Sequence, residues 1–288
     1  MTETVKAYAK INLHLDITGI RADGYHNVDN VMQTVTLFDT VTVEFTDSKE
    51  ISCECDVAGV PTDEKNIAVR AAKLYCESVG LNKGVRVKIE KRIPMAAGLA
   101  GGSADAAATL VALNRLQGNL LDEKTLFDIG ARLGADVPFC IAGGCAYTNG
   151  RGDLLHSFPK IPDRTVFVVA CGGDGVSTPW AYGLMDREHN NFTDYKAKGI
   201  EILRESLESD HPKEFYKYIF NIFEDPVLGQ RPVAAQIKDI MLDSGALNAM
   251  MSGSGPSVYG VFSTEAEAEM ASEAIREKGY FASVCYPV

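Results

Sequence analysis

The chain has 288 residues, of which 46% are hydrophobic and 23% are charged, and its formal net charge at pH 7 is −11. A chain of this length and composition forms one large domain or two modest ones around a real hydrophobic core. The acidic balance excludes a general nucleic-acid-binding protein, which needs a basic surface, but it permits a local pocket for phosphate.

Features that would place the chain in a membrane or outside the cell are missing from the sequence. No apolar run is long enough to span a membrane, and Met1–Lys6 lacks the apolar core of a signal peptide. The 7 cysteines include no Cys-x-x-Cys pair, which favours reduced thiols, and the 5 histidines show no metal-ligand spacing. We therefore expect a cytoplasmic protein with no structural metal and no nucleic-acid or membrane partner. The sequence carries no indication of the oligomeric state.

The first predicted element is a strand, because apolar residues occupy every second position from Val5 to Ile17. Lys10 and Asn12 lie on its other face, one pleat apart, and on these residues alone a solvated strand face is the simpler interpretation. The first half continues with a turn-rich loop at 21–26, a hairpin of strands at 31–37 and 41–45 around Asp39-Thr40, a helix at 66–79, a strand at 85–89, a glycine-rich loop, a helix from Ser103 to about residue 118, and a helix from about residue 122 to 133 that ends at Gly134.

The second half is organised differently, and a polar, proline-containing stretch near 155–164 marks a candidate junction. We therefore predict two domains, at 1–157 and 158–288. The later elements are hairpin turns at 143–144 and 149–152, a buried strand at 165–170, a mixed helical region at 179–244, strands at 247–251 and 258–262 around a second glycine loop at 252–257, a helix at 265–278 and a strand at 280–286. Strands and helices interleave as in a split βαβ domain, so the predicted fold class is α+β.

The most informative segment is Pro94–Thr109, a glycine-rich loop that runs into an alanine-rich helix. Its glycines remove side chains where the backbone must turn tightly and approach a ligand. Ser103 is the predicted N-cap and Asp105 lies in the predicted first turn. A loop that feeds a helix N-terminus directs N–H groups at one spot, which suits a phosphate. A capped helix behind a flexible loop is the open alternative.

The residue types and spacing in this loop exclude two common phosphate-binding motifs. No Gly-Lys-Ser/Thr follows the glycines, so it is not a Walker A loop. The Gly-x-Gly-x-x-Gly spacing is also missing, so it is not a dinucleotide-binding fingerprint.

Three segments in order resemble the motifs of the galactokinase, homoserine kinase, mevalonate kinase and phosphomevalonate kinase (GHMP) superfamily: the strand with Lys10, the loop at 94–104 and the glycine loop at 252–257. The family's central motif reads Pro-x-x-x-Gly-Leu-x-x-Ser/Gly-Ser-Ala. The loop of the family commonly reads Gly-Leu-Gly-Gly-Gly-Ser-Ser, and here Ala100 and Ala104 replace a glycine and a serine of that form. Ala100 is expected to have ordinary backbone angles. The resemblance implies a two-domain α+β kinase with a ferredoxin-like C-terminal domain and an active site in the cleft between the domains.

Ala9–Leu13, Arg21–His26 and Gly134–Pro138 further resemble the branch of this family that phosphorylates an alcohol linked to cytidine diphosphate on the route to isoprenoid precursors. The branch uses ATP, and Mg²⁺ is expected with it. By this resemblance Asp136 takes the proton of the attacking hydroxyl, while Lys10 keeps Asp136 ionised and stabilises the developing charge.

The resemblance also implies residues that bind the two substrates. The cytidine substrate is expected to contact Asn12, Tyr25, His26 and Tyr182, with Tyr182 stacking on the base and Trp180 as the alternative stacking residue. ATP is expected to contact Pro94, Met95, Ala96, Ala97, Gly98, Leu99, Ala100, Gly101, Gly102, Ser103, Ala104, Asn66 and Lys91. No acidic metal cage is visible, so nucleotide phosphates and water are expected to hold the Mg²⁺.

Two other functions stay open on the sequence. One is a different small-molecule kinase of the same superfamily, acting on another alcohol or phosphate. The other is a nucleotide-binding regulator without catalytic activity, and the presence of both Lys10 and Asp136 argues against it. A plain salt bridge is the structural alternative for that pair.

Overall fold

The computed structural model describes residues 1–189, 192 and 198–288. Its helices are α1 (Ile67–Val79), α2 (Gly101–Leu116), α3 (Glu123–Leu133), α4 (Val137–Ala142), α5 (Thr178–Glu188), α6 (Glu201–Glu208), α7 (Glu224–Leu228), α8 (Pro232–Asp243) and α9 (Glu265–Glu277), with a 3₁₀ helix at Pro212–Tyr218. Its strands are β1 (Thr2–Ile20), β2 (His26–Thr46), β3 (Ile51–Cys55), β4 (Gly84–Glu90), β5 (Cys145–Asn149), β6 (Leu154–Ser157), β7 (Val166–Cys171), β8 (Phe220–Asn221), β9 (Asn248–Met251), β10 (Val258–Phe262) and β11 (Phe281–Cys285).

The chain divides into two compact units, each built from three chain segments. Unit 1 comprises Met1–Ala9, Leu37–Ile93 and Ala100–Gly143, and unit 2 comprises Lys10–Thr36, Pro94–Leu99 and Gly144–Val288. The strands β1 and β2 therefore each contribute residues to both units. The division into domains at residue 157 stays a prediction.

Unit 1 combines strands with a layer of helices. In it β4 lies between β3, to which it is parallel, and the last residues of β2, to which it is antiparallel. The helices α1 and α2 pack against each other through buried alanines, including Ala71, Ala72 and Ala107. Small side chains let helix backbones approach closely, which accounts for the alanine-rich stretch after the glycine loop. The predicted helix at 66–79 is confirmed, with Asn66 as its N-cap.

The predicted hairpin around Asp39-Thr40 is wrong, because β2 continues without a break from His26 to Thr46. Asp39 lies within this strand and is fully buried. Its carboxylate accepts hydrogen bonds from Lys91 and from the backbone N–H groups of Arg92 and Ile93. An aspartate flanked by apolar runs resembles a turn residue in sequence, but here distant donors satisfy it inside a strand.

The C-terminal part of unit 2 has the predicted split βαβ topology. Its elements follow the chain order β7, α8, β9, β10, α9 and β11, and the sheet has the antiparallel strand order β11-β7-β10-β9. The helices α8 and α9 cover its apolar face, where Ile237, Met241 and Ile275 are fully buried. The α+β fold class and the hairpin turn between β5 and β6 at 149–152 are thereby confirmed.

Two further features of the described residues are the state of their cysteines and the character of their helices. The cysteines of the described residues are present as free thiols. Among those residues, no helix combines the length and the apolar character needed to cross a membrane.

Candidate active site

A polar stripe runs along one face of β1. Lys10, Asn12, His14 and Asp16 alternate along the strand, and each is no more than 4% exposed. The interpretation of this face as solvated is therefore wrong. Burial lowers the pKa of His14 to about 4, helped by the charge of Lys198, so its ring is neutral at pH 7. Buried polar side chains cost free energy unless they are paired, so the stripe indicates a functional surface.

The ammonium group of Lys10 is held in a fixed place within unit 2. Its Nζ donates hydrogen bonds to Asn12 Oδ1, at 2.7 Å, and to the carbonyl oxygen of Gly98, at 3.1 Å. The backbone N–H of Lys10 also donates to the carbonyl oxygen of Leu99, at 3.2 Å. The predicted catalytic lysine is therefore bonded directly to the predicted nucleotide loop.

Three further residues form hydrogen bonds with Asn12. Its Nδ2 donates to Asn30 Oδ1 at 2.7 Å, and Ser252 Oγ donates to its Oδ1 at 3.2 Å. The hydroxyl of the buried Tyr259 donates to the backbone carbonyl of Asn12 at 2.9 Å. Because both the side chain and the main chain are fixed, Asn12 presents its Oδ1 to Lys10 in one orientation.

The two glycine loops pack on each other in unit 2. A Cβ atom on Gly98 would lie 2.2 Å from the carbonyl oxygen of Ser252, and one on Gly253 would lie 3.0 Å from that of Gly98. The N–H of Ser257 donates to Ala97 O at 3.2 Å. These glycines therefore permit loop-to-loop contact, a role that the sequence analysis did not assign to them.

Asn221 fixes the second glycine loop from behind, and the sequence analysis missed it. Its buried Nδ2 donates to the carbonyl oxygens of Met251, at 2.7 Å, and Gly253, at 2.8 Å. Its Oδ1 accepts from the N–H of Phe223. One asparagine in a long mixed region carries no spacing signal, so pattern analysis had no means to find it.

The helix after the nucleotide loop begins two residues before the predicted N-cap. Ser103 is the third residue of α2 instead of its cap, and Asp105 lies beyond the first turn. The residue before the helix is Ala100, which has φ +56° and supplies no side-chain cap. The expectation of ordinary backbone angles at Ala100 is therefore wrong, because the chain reverses at this alanine into the helix. Ala100 therefore gives the first-turn N–H groups no side-chain acceptor.

The two glycines that open α2 have different surroundings. A Cβ on Gly101 would lie 3.0 Å from Ile93 Cγ2 and 3.1 Å from Lys91 Nζ, so this position is tightly packed. Gly102 is exposed, and a Cβ there would only make an ordinary contact of 3.5 Å with Ile67. Of the two positions, Gly102 is therefore the one that has space for an added group.

Two residues predicted to contact ATP already have structural partners. Asn66 accepts from the N–H of Ala68 at 2.9 Å and donates to Pro61 O at 2.7 Å, so it caps α1. The Nζ of Lys91 lies between the carboxylates of Asp39 and Asp105. Contact of either residue with ATP stays a prediction.

Asp136 lies in the turn between α3 and α4 of unit 1. It is half-buried, and its carbonyl oxygen accepts from the N–H of Cys140, so it begins α4. A Cβ on Gly134 would lie 3.6 Å from Ile67 Cδ1 and 3.9 Å from Ser103 Oγ. The turn that carries Asp136 is therefore next to the first turn of α2.

Two of the predicted cytidine-binding residues lie together in unit 2. The rings of His26 and Tyr182 have centroids 4.6 Å apart at an angle of 35°, and His26 Nε2 lies 2.7 Å from Asp186 Oδ1. Trp180 is covered by the guanidinium of Arg231, 4.8 Å from its ring centroid. Tyr182 is therefore the aromatic residue that the structure places beside another predicted substrate residue.

Tyr25 also belongs to the predicted substrate residues and is 58% exposed. The guanidinium of Arg151 lies 5.5 Å from its ring centroid. An exposed aromatic ring next to a cation can contact a ligand without displacing a packed neighbour.

Comparison with known proteins gives matches along the whole chain. Residues 66–144 match the family model of the GHMP kinases N terminal domain, and residues 203–280 match that of the GHMP kinases C terminal. The 4-diphosphocytidyl-2-C-methyl-D-erythritol kinase of Caldicellulosiruptor bescii is 40% identical over 272 residues, which cover 94% of this chain and 93% of the relative. The enzyme of the same name from Clostridium perfringens is 39% identical over 284 residues, covering 97% and 96%.

Solved structures agree with these sequence matches. A crystal structure of a 4-(cytidine 5'-diphospho)-2C-methyl-D-erythritol kinase superposes with a TM-score of 0.78 at 32% identity and covers 99% of both chains. The homoserine kinase of Cytophaga hutchinsonii superposes with a TM-score of 0.77 at 21% identity, over 100% of this chain and 95% of the other. That second likeness concerns the fold.

Proposed function

Since this chain belongs to the GHMP kinases, and within them to the 4-diphosphocytidyl-2-C-methyl-D-erythritol kinases, we propose that it transfers the γ-phosphoryl group of ATP to the 2-hydroxyl of 4-diphosphocytidyl-2-C-methyl-D-erythritol. The reaction belongs to the non-mevalonate route to isoprenoid precursors. A cytoplasmic location and the lack of nucleic-acid and membrane partners stay predictions.

The observation that carries the proposal is the hydrogen bond from Lys10 Nζ to the carbonyl oxygen of Gly98. Phosphoryl transfer needs little covalent chemistry from the protein and depends on positioning and on stabilising charge. A cation that is fixed to the nucleotide loop before ATP arrives needs no reorganisation when negative charge develops. Asn12 supports this role, because it holds the second N–H of the same ammonium group.

We assign to Asp136 the role of general base. A base in this reaction accepts the proton of the substrate hydroxyl as the oxygen attacks the γ-phosphorus. Its place at the start of α4, in a turn packed beside the first turn of α2, supports the assignment. The first-turn N–H groups of α2 and the exposed side of Gly102 are proposed to receive the ATP phosphates.

ATP brings Mg²⁺ with it in reactions of this class. Among the described residues, no group of three or more His, Cys, Asp or Glu side chains is arranged to hold a metal ion. We propose that phosphate oxygens and water hold this ion, and we assign no catalytic step to it.

For the cytidine end of the substrate we propose the cluster of Tyr25, His26 and Tyr182. Aromatic side chains stack on bases of any sequence, and the ring pair of His26 and Tyr182 supplies such a surface. The carboxylate of Asp186 orients the His26 ring through its 2.7 Å contact.

The test is ADP release measured with a panel of alcohols at matched concentration. We expect turnover with the cytidine compound and none with mevalonate or homoserine. Efficient turnover of mevalonate or homoserine alone would assign the chain to another branch of the superfamily. ATP binding without turnover of any alcohol would make the protein a nucleotide-binding regulator.

A further inference from the structure

Unit 1 contains a buried cluster of one lysine and two carboxylates to which the proposed mechanism assigns no catalytic step. Lys91 Nζ lies 2.6 Å from Asp39 Oδ2 and 2.8 Å from Asp105 Oδ2. The three side chains are 7%, 0% and 4% exposed. Buried ion pairs are weak contributors to stability, because removing the charges from water costs as much as their attraction returns. The arrangement therefore calls for a reason other than stability.

One side of this cluster holds the chain where it enters the nucleotide loop. The second oxygen of Asp39 accepts hydrogen bonds from the backbone N–H groups of Arg92 and, at 2.8 Å, Ile93. These two residues directly precede Pro94, the first residue of the loop. The lysine thereby fixes a carboxylate that in turn fixes the loop entrance.

The other side holds the chain where it leaves the loop. Asp105 lies in α2, and its Oδ2 accepts from Lys91. The same Nζ would be 3.1 Å from a Cβ on Gly101, the first residue of α2, so the ammonium group lies against the first turn of the helix. Both ends of the loop are thus tied to one nitrogen atom.

We propose that Lys91 is a positioning residue for ATP binding, which joins the entrance of the nucleotide loop to the helix at its exit. The proposal rests on the proposed function of that loop. A phosphate cradle of backbone N–H groups binds well only when it is preorganised, because ordering it on binding would use up part of the affinity. The ammonium group already bonds to the carboxyl groups of Asp39 and Asp105, so it acts through them and not as a ligand of phosphate.

The second carboxyl oxygen of Asp105 indicates that the cluster does not serve stability. Asp105 Oδ1 is buried and has no hydrogen-bond partner among the described residues. A buried acceptor without a partner lowers stability. The cluster therefore keeps its geometry at a cost, which is expected where a site needs a fixed backbone.

The test measures binding of a non-hydrolysable ATP analogue by calorimetry, so it needs no turnover. The variants are Lys91→Met, Asp105→Asn and the double variant with both changes. In the double variant Asp39 is the one carboxyl group of the cluster that remains, and two backbone N–H groups still bond to it. Lys88→Met is the matched control, since Lys88 lies on β4, the strand that ends directly before Lys91, and its Nζ lies 2.8 Å from Glu90 on the exposed side. Thermal unfolding and binding of cytidine diphosphate are measured on each protein.

We expect the double variant to unfold near the temperature of Asp105→Asn and to bind the ATP analogue about tenfold more weakly or worse, the equivalent of at least about 1.4 kcal/mol. Its affinity for cytidine diphosphate is expected to be unchanged, which a general loss of structure would not allow. Lys88→Met is expected to behave as the parent.

Three results would overturn the role of Lys91. The first is equal affinity of the double variant and Asp105→Asn for the ATP analogue. The second is a parallel loss of cytidine diphosphate binding. The third is failure of both lysine variants to fold, which would make the lysine a requirement for unit 1 as a whole. A parent protein that binds no ATP analogue would instead contradict the proposed function of the loop.

Discussion

The carbonyl oxygen of Ser252 occupies the space that a side chain on Gly98 would need, at 2.2 Å from the position of its Cβ. Gly98 also has φ +78°, which L-residues with side chains adopt only under strain. The second and third motifs of the chain, the loops at 94–104 and 252–257, are therefore in contact at the position where Gly98 has no side chain. Lys10, which we propose as the catalytic lysine, is bonded to the carbonyl oxygen of the same glycine.

Gly98→Ala is expected to destabilise the protein and to lower turnover together. Overpacking of a rigid contact and the left-handed backbone together cost at least about 2 kcal/mol. Chemical denaturation and ADP release measure the two effects. Gly118→Ala is the control, since Gly118 has φ +71° but open space around its Cβ position. Equal destabilisation of both variants would show that only backbone strain matters at Gly98.

Gly102→Val is expected to weaken ATP binding without loss of the fold. The side chain would project toward the helix N-terminus, where the phosphates are proposed to bind, and the added Cβ meets only an ordinary contact. Gly102→Ala is the smaller step of the series and should stabilise the helix by about 0.5–1 kcal/mol. Calorimetry with a non-hydrolysable ATP analogue gives the affinities. Unchanged affinity in the valine variant would mean that the loop only leads into the helix.

Asp136→Asn is expected to reduce turnover by about 10²–10⁴-fold while ATP still binds, because the amide cannot accept the proton of the attacking hydroxyl. Lys10→Ala should also lower kcat strongly, and the two changes together should cost much less than their sum. Asp128→Asn is the control, because Asp128 is an exposed carboxylate on α3 of the same unit. Turnover of Asp136→Asn within a few-fold of the parent would sink the assignment.

Tyr182→Ala is expected to lower kcat/KM for the cytidine substrate about 5- to 150-fold, the equivalent of a lost base–aromatic stack of about 1–3 kcal/mol. Affinity for ATP should change little. Trp180→Ala is the direct comparison, because Arg231 already covers the Trp180 ring. A larger loss in the tryptophan variant than in the tyrosine variant would move the stacking role to Trp180.

The stability of Asp105→Asn relative to the parent protein is expected to increase as the pH rises. Burial raises the pKa of Asp105 from 3.8 to about 7, and the groups that face it are Lys91, Asp39 and Cys53, whose thiol has a pKa raised to about 11. A carboxyl whose folded pKa is raised contributes stability below its unfolded pKa, and this is lost as the pH rises through about 7. The melting temperatures of parent and variant are compared at intervals across that range. A constant difference at all values of pH would show that Asp105 does not titrate there.

Much of the fold could be predicted because hydrophobic periodicity is a local signal. The helices α1 and α3 begin directly after Asn66 and Asp122, within one residue of the predicted starts. The predicted N-cap Ser103 was wrong, because the reversal at Ala100 starts α2 earlier. The split βαβ order followed from the alternation of element types alone. Asp39 could not be interpreted correctly, because the donors that keep it inside a strand are more than fifty positions away along the chain.

In the candidate site too, the sequence predicted local features and did not predict contacts between distant residues. The glycines at 98 and 102 were expected near a ligand, but their spacing did not distinguish packing against Ser252 from access to phosphate. Ala100 was assigned ordinary angles because an alanine is rarely found in the left-handed region, yet the loop turns there. Asn221 was missed because its partners are backbone carbonyls, which no sequence pattern records.

The hydroxyl of Tyr259 bonds to the carbonyl of Asn12 across 247 positions of chain. The strand with Lys10 and the nucleotide loop are therefore synthesised long before Ser252 and Tyr259, two of the residues that hold Asn12. A nascent chain that ends before residue 252 lacks both of these bonds, and Asn30 is the early residue that can already accept from Asn12. The order of translation thus delays the full set of bonds around Asn12 until the late strands have been synthesised.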